Sequence, residues 1–411
     1  MKFKVFGCIL FIALILMLII SCTGENNKKV NEGISMQNNV NNLISVRKFT
    51  SSSSYSLLFA VTEESRLLRV VVSEPGISFI DLEDNLDMHK ANIIEGISDV
   101  HALSHISCSF FTAFYFYIIK ADGSLWRYTE ELYNDSHTLE RIESVESFKM
   151  VYRGREHSIA LTVGGAVFSW GNNDYGQLGD GTNHSRQSLQ RVYGLPIIVD
   201  IAAGSDFCIA LGKSGEVFTW GSNFKGELGD GSYTYTSASF DEYGNSVRNI
   251  VKNNNRNTPF QIELLSDVTQ VAAGDSLGVA LRNDGSVYMW GTSNIPQPSH
   301  AITTPQKVEI PEKVVQVAAA SLNAFALTDM GNVWEWGWIR LIPGTGMDIP
   351  VRLSEFQRIK RVFPGHIDTF LSLDGDVWQG RFDSQTEFRN GRAVRLLTEI
   401  EIRSISNNKY G

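Results

Sequence analysis

Cysteine is scarce in this 411-residue chain, with only Cys8, Cys22, Cys108 and Cys208. Four thiols so far apart exclude a disulfide-dense small domain, and none has a Cys or His neighbour at metal-ligand spacing. Histidine is scarce as well, eight in all, and no H-E-x-x-H or comparable cluster occurs. Clustered basic charge is missing: 36 Lys and Arg stand against 45 Asp and Glu, a net charge of −9. Binding to a phosphate backbone rests on clustered Lys and Arg, so nucleic acid is excluded as a partner. What the chain does have is 43% hydrophobic and 20% charged residues, the balance of a globular protein with a real core.

The N-terminus stands apart from that core. MKFK is followed by sixteen apolar residues, VFGCILFIALILMLII, and then by Ser21 and Cys22. A basic start and an apolar run shorter than the roughly 20 residues of a membrane span read as an export signal. The ending Ile19–Cys22 resembles the bacterial lipoprotein lipobox. That resemblance implies a signal peptide over 1–21, cleavage before Cys22, and lipidation of its thiol with palmitate. Residues 22–43, polar and Asn-rich, cannot bury enough surface to order themselves and read as a disordered tether. The expected location is the cell envelope, with a lipid anchor in the membrane and the body at the outer membrane or cell surface. Cys108 and Cys208 are expected as buried free thiols.

From residue 44 to 411 the chain repeats itself. WGNNDYGQLGDGT at 170–182 returns as WGSNFKGELGDGS at 220–232. Upstream of each lies a second matched block, EHSIALTVGGAVFSWG and DFCIALGKSGEVFTWG, whose relatives recur along the chain. The shared core is an apolar strand, a tight turn with Gly and a second strand, which is a hairpin signal. The turn glycines are Gly123, Gly165, Gly215, Gly285, Gly331 and Gly375, and Ser65 takes the position in a worn seventh copy. Five residues past the turn stand Tyr128, Trp170, Trp220, Trp290 and Trp336, and three past it another aromatic. Side chains alternate across a strand, so these aromatics share one buried face and are core. Strands of the form V-x-x-V-A-A-G precede the hairpins, as in IVDIAAG at 198 and VTQVAAG at 268. With a fourth strand the unit becomes an all-β, four-stranded antiparallel blade.

The block H-S-x-A-L-T-x-x-G-x-V-x-x-W-G-x-N-x-x-G-Q-L-G-x-G resembles the repeat of the regulator of chromosome condensation family. The match is specific over 145–232 and looser from Ile44 to Ile405. It implies a seven-bladed β-propeller, in agreement with the seven hairpins. A likeness to bacterial propellers of the β-lactamase inhibitor protein II type implies a loop face that engages a protein partner. SVRKFT and IRSISN both read as a first strand, so one closes the ring. The family's exchange activity on a small nuclear GTPase, with chromatin binding, conflicts with an export signal and an acidic balance.

No catalytic constellation is present. The Gly and Asp loops lack the alternating Asp and final Glu of an EF-hand and the Lys of a phosphate loop. Glu156-His157 is the one suggestive pair, and His157 takes the repeat's structural position. The chain is therefore read as a non-enzyme without metal or cofactor: a monomeric scaffold, tethered and exported, that binds a protein or envelope component. The alternative is a propeller enzyme acting on an envelope polymer or small substrate through scattered groups. The expected binding face carries the loops that open each blade's first hairpin and those that leave its third strand. There, an insertion over 233–258 holds Tyr233, Tyr235, Phe240 and Tyr243, bordered by Tyr175, Phe224 and Lys225. Its Asn-rich second half reads as tolerated surface insertion.

Overall fold

The computed structural model describes residues 43–50, 53–61, 65–71, 91–94, 97–104, 113–131, 136–240, 246–291, 302–320, 323–337, 349–363, 369–374, 377–379 and 394–397. The lipobox, residues 22–42 of the expected tether, Cys108, Tyr243, Gly375 and the IRSISN segment lie outside them, while Leu43, expected at the end of the tether, opens the first strand.

Alternating apolar residues and tight Gly turns give short strands, and these pair in chain order into seven four-stranded antiparallel sheets. Sheet 1 joins β1 (Leu43–Thr50), β2 (Ser53–Val61), β3 (Leu67–Val71) and β4 (Ala91–Ile93), so SVRKFT supplies its first strand. Sheet 2 is β5 (Val100–Leu103), β6 (Ala113–Lys120), β7 (Leu125–Glu131) and β8 (His137–Arg141). Sheet 3 is β9 (Phe148–Arg153), β10 (His157–Thr162), β11 (Val167–Gly171) and β12 (Arg186–Arg191). In sheet 4, β13 (Ile198–Ala203), β14 (Phe207–Gly212) and β15 (Val217–Gly221) are followed by a separate two-stranded hairpin, β16 (Tyr235–Phe240) with β17 (Ser246–Lys252). Its fourth strand is β18 (Arg256–Gln261). Sheet 5 is β19 (Val268–Ala273), β20 (Leu277–Arg282), β21 (Val287–Gly291) and β22 (Ile302–Val308). Sheet 6 comprises β23 (Val314–Ala320), β24 (Asn323–Thr328), β25 (Val333–Gly337) and β26 (Val351–Arg352). Sheet 7 ends the series with β27 (Ile359–Phe363), β28 (Thr369–Ser372), β29 (Val377–Gln379) and β30 (Val394–Leu397).

In a four-stranded meander, the first and third connections emerge at one rim, and the second connection and the link to the next sheet at the other. The first is called here the loop rim, the second the Gly-turn rim. On the Gly-turn rim the glycines meet two demands at once. Gly215 has φ +90°, and a Cβ there would stand 3.0 Å from the Asp267 backbone of the next sheet. Its carbonyl accepts the Val268 N–H at 3.3 Å, as that of Gly165 accepts Ile198 at 3.0 Å. Ser65 keeps the role with φ 58°, and its carbonyl accepts the Val100 N–H at 2.8 Å. The worn copy therefore retains the turn's backbone form without its glycine.

First strands are tied sideways by their third residues. Asp200 Oδ2 accepts the Val271 N–H at 3.2 Å, Gln270 Oε1 that of Val317 at 2.9 Å, and Gln316 Oε1 that of Val362 at 3.2 Å. Each first strand is the edge of its sheet, and the preceding sheet's side chain satisfies an N–H on that free edge that would otherwise be unpaired.

The core lies between the sheets. Trp220 and Trp290 are fully buried, and Tyr128, Trp170 and Trp336 nearly so. Trp220 packs among Ile159, Leu161 and Val167 of sheet 3, and Trp290 among Phe207, Leu211 and Val217 of sheet 4. The aromatics two residues earlier sit nearer the edge: Trp126, Phe168, Tyr288 and Trp334 are only half-buried. No helix among the described residues is long and apolar enough to cross a membrane.

Candidate binding face on the loop rim

The two copies of the Gly-rich phrase form the loops that leave β11 and β15. Each is locked by one Asn. Asn173 Oδ1 accepts the Leu178 N–H at 2.9 Å, while its Nδ2 donates to the Thr182 carbonyl at 3.0 Å. Asn223 repeats this with Leu228 at 3.1 Å and Ser232 at 3.2 Å. Asp180 then accepts from Thr182 and from Arg186 Nε at 3.0 Å, and Asp230 from Ser232 and from Arg256 Nε at 3.0 Å. Burial alone would push both carboxyls up, but these hydrogen bonds and guanidinium charges outweigh it and hold them below the usual Asp range. Leu178 and Leu228 are fully buried beneath the loops.

Each loop also grips the next sheet. Trp220 Nε1 donates to the Gln177 carbonyl at 3.0 Å, and Trp290 Nε1 to the Glu227 carbonyl at 2.8 Å. Gly179, at φ +66°, lets the indole approach, since a Cβ there would stand 2.7 Å from Trp220 Nε1. Gly181 donates to the Asn257 carbonyl of β18, and Gly231 to the Thr303 carbonyl of β22, both at 2.8 Å. The phrase is thus a clip between neighbouring sheets. A glycine pattern announces the loop, but its partners in the next sheet, 43 to 76 residues downstream, become visible only once the sheets stack.

The clips bring aromatic tips together. Tyr175 and Phe224, both half-buried, meet edge to face with ring centroids 5.3 Å apart. Lys225 is half-buried beside Phe224. Tyr233 is half-buried and Tyr235 exposed where the inserted hairpin begins. Phe240 ends β16, with its side chain outside the described residues, as is all of Tyr243. The insertion is more ordered than an Asn-rich surface loop. Asn254 Nδ2 donates to the Tyr233 carbonyl at 2.7 Å, and its N–H donates to Thr234 Oγ1 at 3.0 Å. Asn255 Oδ1 accepts from Thr234 Oγ1 and from the Asn223 N–H, both at 2.8 Å. Because Arg256–Gln261 is the fourth strand of sheet 4, the insertion proper spans 235–252, not 233–258.

His157 is buried, and its Nε2 lies 3.2 Å from Cys208 Sγ across the seam of sheets 3 and 4. Burial pushes the imidazole down to about 4 and the thiol well up, so two neutral groups meet there. Sequence spacing hid this pair, since its members sit one repeat apart. Among the described residues no three His, Cys, Asp or Glu side chains gather as a metal site. The ionisable groups described on this rim hold loops and seams together.

Stacked four-stranded sheets of this kind define a propeller-like repeat protein. A model of the Regulator of chromosome condensation (RCC1) repeat matches residues 164–211 and 214–281, and a second RCC1 repeat model matches 198–227. Human WBSCR16 is similar in structure at 20% identity and a TM-score of 0.55, over 71% of this chain and 78% of that one. Yeast RCC1 (Prp20), solved bound to Kap60, is similar at 18% identity and a TM-score of 0.53, over 86% and 81%. A second structure of Prp20p, from Saccharomyces cerevisiae, is described with its binding to Gsp1p and histones; it has the same identity and TM-score and covers 86% and 83%.

These relatives correct the expected setting. They are eukaryotic RCC1-type proteins, not bacterial lipoproteins of the β-lactamase inhibitor protein II kind. The exported, membrane-tethered scaffold, the palmitate anchor at Cys22, the envelope partner and the cell-envelope location are withdrawn. All rested on a short N-terminal apolar run, which carries no information about the folded body. The objection from export to RCC1-type partners falls with them.

Proposed function

We propose that the chain closes its seven sheets into a propeller and works as a non-catalytic scaffold that binds a protein partner through the loop rim at sheets 3 and 4. The carrying observation is the aromatic step of Tyr175 and Phe224, continued by Tyr233 and Tyr235 at the root of a hairpin that no other sheet has among the described residues. Half-exposed aromatics on a rigid frame are the usual anchors of protein interfaces. The clips hold this frame from below, so little ordering entropy is lost on docking. Support by analogy comes from yeast RCC1 (Prp20), a protein of this fold bound to Kap60.

The test is affinity capture from an extract of the source cells with three baits: wild type, Tyr175→Ser/Phe224→Ser, and a chain with 235–252 replaced by a short Gly-Ser turn. A protein captured by the wild type should be lost with both variants while their melting stays close to wild type. Equal capture by all three would remove this rim from consideration.

A further inference from the structure

Large apolar side chains are left in solvent on the opposite, Gly-turn rim. Val163 is 65% exposed, Tyr193 73%, Ile197 58%, Leu264 68%, Met330 71% and Leu373 52%. All six lie in turns between second and third strands or in the links between sheets. Four of them share two seams. A Cβ on Gly165 would stand 2.7 Å from Ile197 Cγ2, which places Val163 and Ile197 at one seam. At another, Gly331 beside Met330 packs on the Arg358 backbone, and the Leu373 N–H donates to the Arg358 carbonyl at 2.7 Å. Exposed apolar groups scattered singly need no explanation, but a set gathered on one rim marks an interaction surface.

The charge between them selects the partner. Asp122, Glu143, Glu263, Asp284, Asp329 and Glu355 are exposed on the same turns and links. Hydrogen bonds from Ser124 and Ser286 hold Asp122 and Asp284 below the usual carboxyl range, so both stay anionic. Among the described residues of these segments the exposed cations are Lys213, Lys313 and Arg358, and Arg358 already faces Asp374 at 3.0 Å. Much of the chain's acidity is concentrated here. A second copy of this rim, a phosphate-rich polymer or an anionic lipid surface would meet like charge. A cationic, partly apolar polypeptide satisfies both features.

We propose that the Gly-turn rim is a docking surface for a lysine- or arginine-rich protein segment that also carries apolar side chains. It is distinct from the loop rim, so one scaffold can hold two partners on opposite rims.

The test is fluorescence anisotropy of the full chain with a labelled peptide of alternating lysine and leucine. Peptides of alternating lysine and serine, and of alternating glutamate and leucine, serve as controls. The lysine–leucine peptide should bind most tightly, and Ile197→Ser/Leu264→Ser should weaken it by about tenfold or more. Glu263→Gln/Asp284→Asn/Asp329→Asn should weaken it and flatten its salt dependence. Replacing 235–252 should leave it unchanged, which separates failure here from failure of the loop-rim reading. Met330→Ser serves as a second apolar variant should the first melt early. The proposal is overturned if the lysine–serine peptide binds as well, if the rim variants bind like wild type, or if sedimentation shows the wild type self-associating through this rim.

Discussion

At position 227 a carboxylic acid occupies the place that an amide holds one repeat earlier. Gln177 Oε1 accepts the Tyr175 N–H at 2.9 Å, and Glu227 Oε2 accepts that of Lys225 at 2.7 Å. Burial pushes Glu227 up to about 7. A folded pKa raised above the unfolded value gives stability that is complete below about 4.5 and is lost as pH rises through about 7. Glu227→Gln keeps the acceptor and removes that loss. It should melt like wild type at pH 5 and be more stable at pH 8.5, by on the order of 2–3 kcal/mol. Thermal melts across that range check the sign; a gap that closes as pH rises would contradict it. Asp200, pushed up to about 6 by burial, adds to the wild type's alkaline slope in the same direction.

Among the elements, the Gly-rich loops decide how well one sheet holds the next. Removing the indole N–H leaves the buried Gln177 carbonyl with only the weak Cys208 thiol donor at 3.5 Å, which costs about 1–3 kcal/mol. Trp336, also buried, has no acceptor for its Nε1 among the described residues. Trp220→Phe should therefore destabilise more than Trp336→Phe, although both lose the same ring volume. Denaturant titration of the two variants measures the difference, and equal losses would mean that the clip contributes only packing. Trp220→Ala should cost more than either, about 3–5 kcal/mol, through the cavity it leaves.

From sheet 2 to sheet 7 each first strand lies beside the next, and a propeller requires the two ends of the series to meet. The described residues carry the lateral ties from sheet 3 to sheet 7 through Met150 to Val362, with Asp200, Gln270 and Gln316 as the side-chain links. If the ring closes as proposed, solution X-ray scattering of residues 43–411 should give a radius of gyration near about 21 Å, the value for a compact chain of that length. An arc would read distinctly larger. The same compactness sets the two rims back to back, so the acidic Gly-turn rim and the aromatic loop rim cannot be bridged by one short partner.

The repeat, the hairpins and the buried aromatic face were legible in the sequence, because a two-residue side-chain period and glycines at positive φ are local requirements. Trp220 and Gly215 announce themselves without knowledge of any neighbour. What each residue touches across a seam was not legible. Gln177 meets Trp220, His157 meets Cys208 and Asp200 meets Val271 only when one sheet lies on the next, and pairing at that range leaves no local pattern. The site was legible in part: the repeats set Tyr175, Phe224 and Lys225 at the border of the insertion. That the Tyr175 and Phe224 rings meet edge to face was not legible, because the contact crosses a seam between sheets. The hairpin's bounds and the structural work of Asn254 and Asn255 were not, since an Asn-rich stretch looks the same free or bonded. The apolar Gly-turn rim escaped for the same reason. Val163, Leu264 and Met330 read as ordinary hydrophobic residues in sequence, and only the packed sheets decide which of them face water.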